Sequence, residues 1–248
     1  MEKVYGRTAA IQKDMVSSLC PGCMHSTMFK LIGEVLEKLD ILSRTASVFG
    51  IGCCGLGMQY ITYDNVTAPH GRACAVATGV KRSTPETIVY TYQGDGDLAS
   101  IGLGETISAA NRGENITVIF VNNGIYGMTG GQMAPTTLVG MKASTAPGGR
   151  NPKEHGYPLH MCEILNQLTA PVYLERCTCN TPANVIKTRK AIEKAFQNQI
   201  QGAGFSMVEV VTSCPTNWGL DPIESLKFLE EKMLTEFPLG VYRDRQEA

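Results

Sequence analysis

Residues 87–97 read Thr-Ile-Val-Tyr-Thr-Tyr-Gln-Gly-Asp-Gly-Asp, and residues 116–127 read Ile-Thr-Val-Ile-Phe-Val-Asn-Asn-Gly-Ile-Tyr-Gly. In each stretch, a β-branched, aromatic or aliphatic run passes directly into a polar turn that contains glycine. Such runs predict strands at Thr87–Tyr92 and Ile116–Val121, in a parallel sheet covered on both faces. The two turns are then expected at the carboxyl ends of neighbouring strands, where open α/β sheets bind ligands.

The rest of the chain alternates between helical and strand patterns. Predicted helices are Met24–Leu39, Ala68–Lys81, Leu98–Asn111, Met161–Leu168 and Pro222–Thr235, and a further helix begins at the cap Thr181-Pro182 and runs to about Ile200. Further predicted strands are Thr45–Gly50, Pro171–Arg176 and Phe205–Thr212. This alternation predicts an α/β fold, with a mostly parallel sheet and helices on both faces, in a single domain over residues 1–248.

Two stretches fit neither pattern. Cys53–Pro69 is glycine-rich and then polar, and Gly124–Pro158 is rich in Gly, Pro and Thr. Irregular segments of that length inside a compact domain are usually functional or disordered. From Lys142 onward, the composition favours disorder.

The composition is that of an ordinary globular protein, with 43% hydrophobic and 18% charged residues among 248. A net charge of −1 gives no basic field for nucleic acid or for an anionic membrane surface. No stretch approaches the roughly 20 apolar residues of a membrane-spanning helix, and the first twenty residues hold no apolar run long enough for a signal peptide. We therefore expect a cytoplasmic protein, with neither nucleic acid nor membrane as a partner.

Oxygen ligands follow both of the quoted strands. Asp95 offers a carboxylate and Asn123 an amide oxygen, which are groups that Mg²⁺ prefers. Glycines on both sides of Asp95 let the backbone approach a phosphate closely, and the helix predicted from Leu98 presents free N–H groups to an anion. A lone Gly-Asp-Gly is most often a simple turn. Paired with Asn122-Asn123 after a second buried strand, it resembles the thiamine-diphosphate motif of a whole enzyme superfamily.

Nine cysteines stand in a chain expected in a reducing compartment, where clustered thiols more often bind metal or catalyse than form disulfides. Cys20-Pro21-Gly22-Cys23 places two thiols on one turn, and Cys53 and Cys214 follow predicted strand ends, so all four can converge. From their spacing alone, these four cysteines are equally consistent with a zinc site and with a [4Fe–4S] cluster. We expect the side chains of four other cysteines to contribute to core packing: Cys74, Cys162, Cys177 and Cys179.

Taken together, the motifs resemble the β subunit of 2-oxoacid:ferredoxin oxidoreductases. They are Cys-Pro-Gly-Cys at 20–23, Gly-Ile-Gly-Cys at 50–53, His-Gly-Arg at 70–72, Gly-Asp-Gly at 94–96, Asn-Asn at 122–123 and Cys-Pro at 214–215, in the family's order. The resemblance implies a thiamine-diphosphate-binding fold with one [4Fe–4S] cluster near the cofactor, held by Cys20, Cys23, Cys53 and Cys214. Cys54 stands where many members have serine, so the choice between Cys53 and Cys54 is open.

The same resemblance assigns the cofactor contacts. Magnesium ligands would be the Asp95 carboxylate, the Asn123 side chain and the main-chain carbonyl of Ile125. The diphosphate would contact Gly96, Asp97, Gly127 and Met128. The rest of the cofactor would be lined by Ile51, Gly52, Cys53, Cys54 and His70. Without the resemblance, His70 is best interpreted as a helix-start histidine bonded to nearby backbone.

The implied reaction is oxidative decarboxylation of a 2-oxoacid to CO₂ and acyl-CoA, with coenzyme A as acyl acceptor and ferredoxin as electron acceptor. The glutamate that activates the thiamine in this family comes from a partner α subunit, so no catalytic residue is assigned here; a ferredoxin-like subunit is also expected. Gly130 stands where members acting on 2-oxoglutarate often carry lysine. This favours an apolar substrate such as 2-oxoisovalerate, with pyruvate or 2-oxoglutarate as alternatives. The rival functions are a non-redox thiamine-diphosphate enzyme and a zinc-stabilised binding module.

Overall fold

Seven strands form the main sheet, and six of them run parallel. In this computed structural model, which describes residues 7–14 and 16–245, the strands are β1 (Thr45–Phe49), β2 (Asp64–Thr67), β3 (Ile88–Gly94), β4 (Thr117–Asn122), β5 (Ile125–Tyr126), β6 (Gln132–Met133), β7 (Tyr173–Thr178), β8 (Ser206–Val211) and β9 (Gly240–Asp244). The sheet order is β2-β1-β3-β4-β8-β7-β9, and β9 runs antiparallel to β7. β5 and β6 pair with each other as a separate antiparallel hairpin.

Helices cover both faces of this sheet. They are α1 (His25–Lys38), α2 (Ala73–Ser83), α3 (Leu103–Asn111), α4 (Pro152–His155), α5 (Met161–Asn166), α6 (Pro182–Ile200), α7 (Pro215–Trp218), α8 (Pro222–Phe228) and α9 (Leu234–Glu236). α1 and α6 pack on one face, and α2, α3 and α5 on the other. The predicted α/β class, with a mostly parallel sheet between two helical layers, is therefore confirmed.

Strand residues alternate between the two helical layers. In β4, Ile119 and Val121 join the core under α1 and α6, whereas Val118 and Phe120 join the core under α2 and α3. All six residues of β4 are buried, which is why the sequence shows a continuous apolar run there instead of an alternating one.

The predicted elements differ from the observed ones mainly where the sequence is polar or local geometry is unusual. β2 was not predicted, because all four of its residues are exposed at the sheet edge and show no apolar face. β9 at the opposite edge was not predicted either. The helix predicted from Ala68 begins at Ala73, after a turn in which Gly71 has φ of +80°. The helix predicted from Leu98 is split into a π-helical turn, Gly96–Ile101, and α3.

The disorder favoured from Lys142 onward is wrong, because the segment folds around one buried arginine. Arg150 is 5% exposed, and its guanidinium donates to six main-chain carbonyls. The acceptors are Ala134, Pro135, Thr137, His155, Gly156 and Tyr157. A buried charge that replaces its water shell with backbone dipoles can order a stretch that is poor in apolar residues.

Four neighbouring strands bring the sequence motifs together. β1, β3, β4 and β8 lie side by side and parallel in the sheet, and their carboxyl ends lead into Gly50–Cys53, Asp95–Asp97, Asn123–Gly127 and Ser213–Cys214. The expected ligands therefore meet at one edge of the sheet.

No helix in the described part of the chain is both long enough and apolar enough to cross a membrane. The expectation of a single domain over residues 1–248 includes positions 1–6, 15 and 246–248, which lie outside the described residues. The expectation about a signal peptide concerns the first twenty residues, of which positions 1–6 and 15 lie outside them.

Candidate active site

The Asp95 carboxylate is buried and held by four hydrogen bonds. Oδ1 accepts from the N–H of Gly96 at 2.8 Å. Oδ2 accepts from the N–H groups of Asn123 and Ile125 at 3.2 and 3.1 Å, and from the Thr136 hydroxyl at 2.9 Å. Burial raises the pKa of Asp95 to about 6, although the hydrogen bonds oppose this shift. No described residue forms an ion pair with Asp95, so a cation at this carboxylate would offset the cost of its burial.

The turn after β4 lies directly against Asp95. The Asn123 side-chain oxygen accepts from the N–H of Ile125 at 3.1 Å, which closes the turn on itself. Tyr126 donates its hydroxyl to the main-chain carbonyl of Gly96, and its ring occupies the space that a Cβ at Gly96 would need. Glycine is therefore required at position 96 for the two turns to pack together.

The Asp97 carboxylate is fully occupied by neighbouring donors. Oδ1 accepts from the N–H groups of Ile51 and Gly71 at 3.0 and 2.8 Å and lies 2.7 Å from His70 Nδ1; Oδ2 accepts from the Gln93 side chain at 2.6 Å. Asp97 is 1% exposed, so its side chain binds the loop after β1 to the loop before α2. Its expected diphosphate contact can then come only from the backbone N–H. His70 bonds this carboxylate and not nearby backbone.

One cleft collects the residues that were expected to hold the cofactor and magnesium. Its lining includes Ile51, Gly52, Cys53, Cys54, His70, Asp95, Gly96, Asp97, Asn123, Ile125, Gly127 and Met128. Gly94, one of the two glycines that flank Asp95 in the sequence, also lines it, and so do Tyr126, Thr129 and His25, to which the sequence assigned no role. Tyr126 lies within the quoted motif, whereas His25 could have been suspected only from its position two residues after Cys23.

A second cavity adjoins this cleft and is lined by all four expected cluster cysteines: Cys20, Cys23, Cys53 and Cys214. Burial and the neighbouring thiols raise the pKa of Cys23 to about 12 and that of Cys53 to about 11. Burial is also the main cause that raises the pKa of Cys214. Thiols in this setting are neutral unless a metal compensates the thiolate charge.

Cys53 and Cys54 have different surroundings. Cys53 lines the thiol cavity, whereas Cys54 does not. Cys54 is 2% exposed, and its thiol lies near Asp97 and the backbone of Gly94 and Gly55. The short 3₁₀ segment Cys53–Gln59 turns the two adjacent side chains in different directions, a separation that the sequence could not reveal.

The two cavities share one wall. His25, Cys53, Asn123, Gly127 and Met128 line both. His25 is 4% exposed, and its Nδ1 lies 2.8 Å from the Tyr92 hydroxyl. Burial lowers the pKa of His25 to about 4, so the imidazole between the cavities is neutral at neutral pH. The shared wall places a group bound in one cavity next to a group bound in the other.

The remaining cysteines lie away from both cavities. Cys74 and Cys162 are completely buried, Cys177 is nearly so, and the Cys179 thiol lies 3.8 Å from the sulfur of Met28. All nine cysteines are free thiols, and these four contribute to packing.

Residues 50–210 match the model of the family described as thiamine pyrophosphate enzyme, C-terminal TPP binding domain. Two curated relatives are informative. The ketoisovalerate oxidoreductase subunit VorA of Methanothermobacter marburgensis is 50% identical over 226 residues, covering 91% of this chain and 47% of that protein. The 2-oxoglutarate synthase subunit KorB of Archaeoglobus fulgidus is 38% identical over 212 residues, covering 86% of this chain and 75% of that protein.

The chain thus spans about half the length of the ketoisovalerate relative and three quarters of the 2-oxoglutarate relative. A similar fold occurs in 2-oxoglutarate:ferredoxin oxidoreductase from Magnetococcus marinus, solved with 2-oxoglutarate, coenzyme A and succinyl-CoA bound. The TM-score is 0.75 at 24% identity, covering 96% of this chain and 84% of that one. At this identity, the likeness supports the fold.

Proposed function

Because the chain belongs to the thiamine-diphosphate-binding β subunits of the 2-oxoacid oxidoreductases, we propose that it oxidatively decarboxylates a 2-oxoacid together with partner subunits. The overall reaction converts one 2-oxoacid, one coenzyme A and two oxidised ferredoxins into acyl-CoA, CO₂, two reduced ferredoxins and one proton. The observation that carries the proposal is the wall shared by the cofactor cleft and the four-thiol cavity.

Thiamine diphosphate, when bound, supplies a nucleophilic carbon and an electron sink for the loss of CO₂. The residues of the cleft fit its magnesium diphosphate end. The Asp95 carboxylate, the Asn123 side-chain oxygen and the Ile125 carbonyl would hold Mg²⁺, since all are hard oxygen donors. Backbone groups of Gly96, Asp97, Gly127 and Met128 would then contact the diphosphate, in part at the start of a helical turn.

A [4Fe–4S] cluster, when bound, accepts electrons one at a time. Cys20, Cys23, Cys53 and Cys214 would hold it, and the burial of Cys54 away from the cavity supports Cys53 as the ligand of the two. Four thiolates on one zinc ion lie about 3.8 Å apart, because each Zn–S distance is about 2.3 Å. Among residues 7–14 and 16–245, no three His, Cys, Asp or Glu side chains converge closely enough to hold a single metal ion. Thiols arranged around a cavity favour a cluster over zinc.

Among the described residues that line the cleft, no carboxylate is left to activate the thiamine ring. Its two aspartates are both committed, Asp95 to the magnesium site and Asp97 to the hydrogen bonds that join two loops. We assign the activating glutamate to a partner α subunit. Ile51 and Met128 line the cleft and are 39% and 48% exposed, as expected of apolar residues that a partner covers.

The substrate proposed is a 2-oxoacid with an apolar side chain, 2-oxoisovalerate being favoured over pyruvate and 2-oxoglutarate. A Cβ added to Gly130 would meet no other atom within 4 Å, but the φ of +101° at this residue disfavours a lysine there. The 50% identity to a ketoisovalerate oxidoreductase subunit supports the same choice. We place the reaction in the cytoplasm, where free thiols such as these stay reduced.

The test is steady-state kinetics on the complex co-expressed and purified without oxygen with its neighbouring subunits. We expect CoA-dependent ferredoxin reduction with 2-oxoisovalerate, a lower kcat/KM with pyruvate and 2-oxoglutarate, and loss of activity in Asp95→Asn. Decarboxylation without ferredoxin reduction would leave a non-redox thiamine enzyme. No turnover of any 2-oxoacid, with thiamine diphosphate bound, would refute the proposed reaction.

A further inference from the structure

Asn217 connects the thiol cavity to the turn after β4, Asn123–Gly127, which we name the cofactor loop. It lies in α7, three residues after Cys214. Its side-chain Nδ2 donates to the Gly127 carbonyl at 2.9 Å and to the Cys214 sulfur at 3.4 Å. An amide NH₂ group carries two hydrogens, so both bonds can exist at once.

The orientation of the Asn217 amide follows from its acceptors. A carbonyl oxygen and a thiolate both require a donor, so reversing the amide would place its oxygen against two acceptors. Asn217 Oδ1 instead points toward Gly131 and lies 3.1 Å from the position that a Cβ would take on that glycine. Glycine at 131 leaves room for this arrangement.

Gly127 is the point at which cofactor loop and thiols meet. A Cβ on Gly127 would lie 3.3 Å from the Cys53 sulfur, 3.5 Å from the Cys214 sulfur and 3.6 Å from Asn217 Nδ2. The same residue lines the cofactor cleft. Asn217 therefore binds one element of each site with a single side-chain group.

We propose that Asn217 raises the reduction potential of the cluster through its bond to Cys214 while holding the cofactor loop against the thiols. The inference rests on the proposed cluster. A reduced cluster carries one more negative charge than an oxidised one, and hydrogen bonds to its sulfurs are among the groups that set its potential. An N–H donor stabilises the reduced form more and eases the transfer of an electron from the cofactor side.

Trp218 provides a matched control on the same helix. Its indole N–H donates to the Asn123 carbonyl at 3.1 Å, so Trp218 hydrogen-bonds the cofactor loop, whereas its side chain donates to no thiol of the described residues. Trp218→Phe keeps an aromatic ring that can pack against Phe228, whose centroid lies 4.8 Å away. This variant removes a loop contact and leaves the bond to Cys214 in place.

The experiment is a redox titration, followed by electron paramagnetic resonance, of the anaerobically purified complex with Asn217→Ala, Asn217→Asp or Trp218→Phe. We expect a more negative midpoint potential in Asn217→Ala. A tenfold fall in the reduced-to-oxidised ratio at fixed potential corresponds to about 59 mV for one electron. Asn217→Asp keeps the shape but adds negative charge, so its shift should be larger. Trp218→Phe should keep the wild-type potential.

Equal potentials in wild type, Asn217→Ala and Asn217→Asp, with iron retained, would overturn this inference and leave the proposed reaction standing. Loss of the cluster in both Asn217 variants but not in Trp218→Phe would also overturn it, because Asn217 would then be needed for assembly. A wild-type complex with no iron bound to this chain would remove both the inference and the proposed electron transfer.

Discussion

The Thr136 hydroxyl donates a hydrogen bond to Oδ2 of Asp95 over 2.9 Å, and both side chains are almost completely buried. This bond joins the loop that follows the β5–β6 hairpin to the proposed magnesium ligand. It is one of three donors on that oxygen, the others being the N–H groups of Asn123 and Ile125. The orientation of the carboxylate therefore depends on a residue 41 positions further along the chain.

Thr136→Val should weaken magnesium-dependent cofactor binding. Valine fills the same space but removes a hydrogen bond to a charged group, which contributes about 1.5–3 kcal/mol. We expect roughly a tenfold or greater rise in the Kd for thiamine diphosphate at limiting Mg²⁺, measured by calorimetry. Thr136→Ser retains the donor and should bind as wild type does; equal weakening in both variants would point to packing as the cause.

Replacing Arg150 should loosen the segment that carries Thr136. Arg150→Met leaves the Thr137 carbonyl without its donor, and an unpaired buried acceptor costs about 1–3 kcal/mol. The carbonyls of Ala134 and Pro135 also lose the guanidinium but keep a second donor, the N–H groups of Thr137 and Leu159. Because the segment can relax in part around the lost guanidinium, we expect the free energy of unfolding to fall by about 3 kcal/mol. Hydrogen exchange at residues 134–137 should become faster.

The control for Arg150 is Arg189→Met. Arg189 is 46% exposed and lies 3.9 Å from Glu34 at the surface, so the change should stay within about 0.5 kcal/mol. A similar fall in the free energy of unfolding in Arg150→Met and Arg189→Met would contradict a specific role for the buried guanidinium of Arg150.

The pair of Glu163 with Arg176 should make stability depend on pH in acid. Partial burial opposes ionisation of Glu163, yet the hydrogen bonds and charge of Arg176 lower its pKa from 4.5 to about 2. Because the folded pKa is lowered, the stabilisation is complete above about pH 4.5 and is lost as the pH falls toward 2. Solvent screens this carboxylate, which is 36% exposed, so we expect about 1 kcal/mol.

Urea unfolding of wild type and Glu163→Gln at pH 7 and at pH 3 measures this effect. The difference in free energy of unfolding should be about 1 kcal/mol at pH 7 and smaller at pH 3. Glu154→Gln, at an exposed position, serves as the reference and should show no such difference. If the difference in free energy of unfolding between wild type and Glu163→Gln stays constant with pH, the ionic contribution is ruled out.

The two adjacent cysteines should differ in iron binding. Cys53→Ser should lose the cluster, because Cys53 faces the thiol cavity, whereas Cys54→Ser should retain it. Absorbance in the visible region and iron content of the anaerobically purified complex separate the two outcomes. Iron lost from Cys54→Ser but not from Cys53→Ser would reverse the assignment.

Sequence patterns predicted the parts of the fold that are buried on both sides. The central strands β3, β4 and β8 are mostly apolar, and β4 is apolar without interruption from Val118 to Val121, because helices cover both faces of the sheet. β2 escaped prediction because Asp64-Asn65-Val66-Thr67 is exposed along its whole length. Its strand conformation depends on pairing with β1, a contact between distant segments that local patterns do not encode.

The motif residues were also predictable, since each follows a buried strand or repeats a known spacing. The supporting groups were not. Thr136 and Asn217 bond to residues far away in sequence, and Arg150 collects carbonyls from both sides of its own segment. Nothing in the local sequence distinguishes these three residues from ordinary polar loop residues. Likewise, only the backbone direction after Gly52 decides whether Cys53 or Cys54 faces the cavity.

Metal content per chain tests the central claim most directly, namely that the four thiols hold a cluster beside the thiamine site. Iron, acid-labile sulfide and zinc are measured on the anaerobically purified complex, for wild type, Cys20→Ala and Cys179→Ala. We predict that Cys20→Ala loses about four irons and as many sulfides relative to wild type, and that Cys179→Ala loses none. One zinc per chain in wild type, removed by Cys20→Ala with no change in iron, would contradict the account.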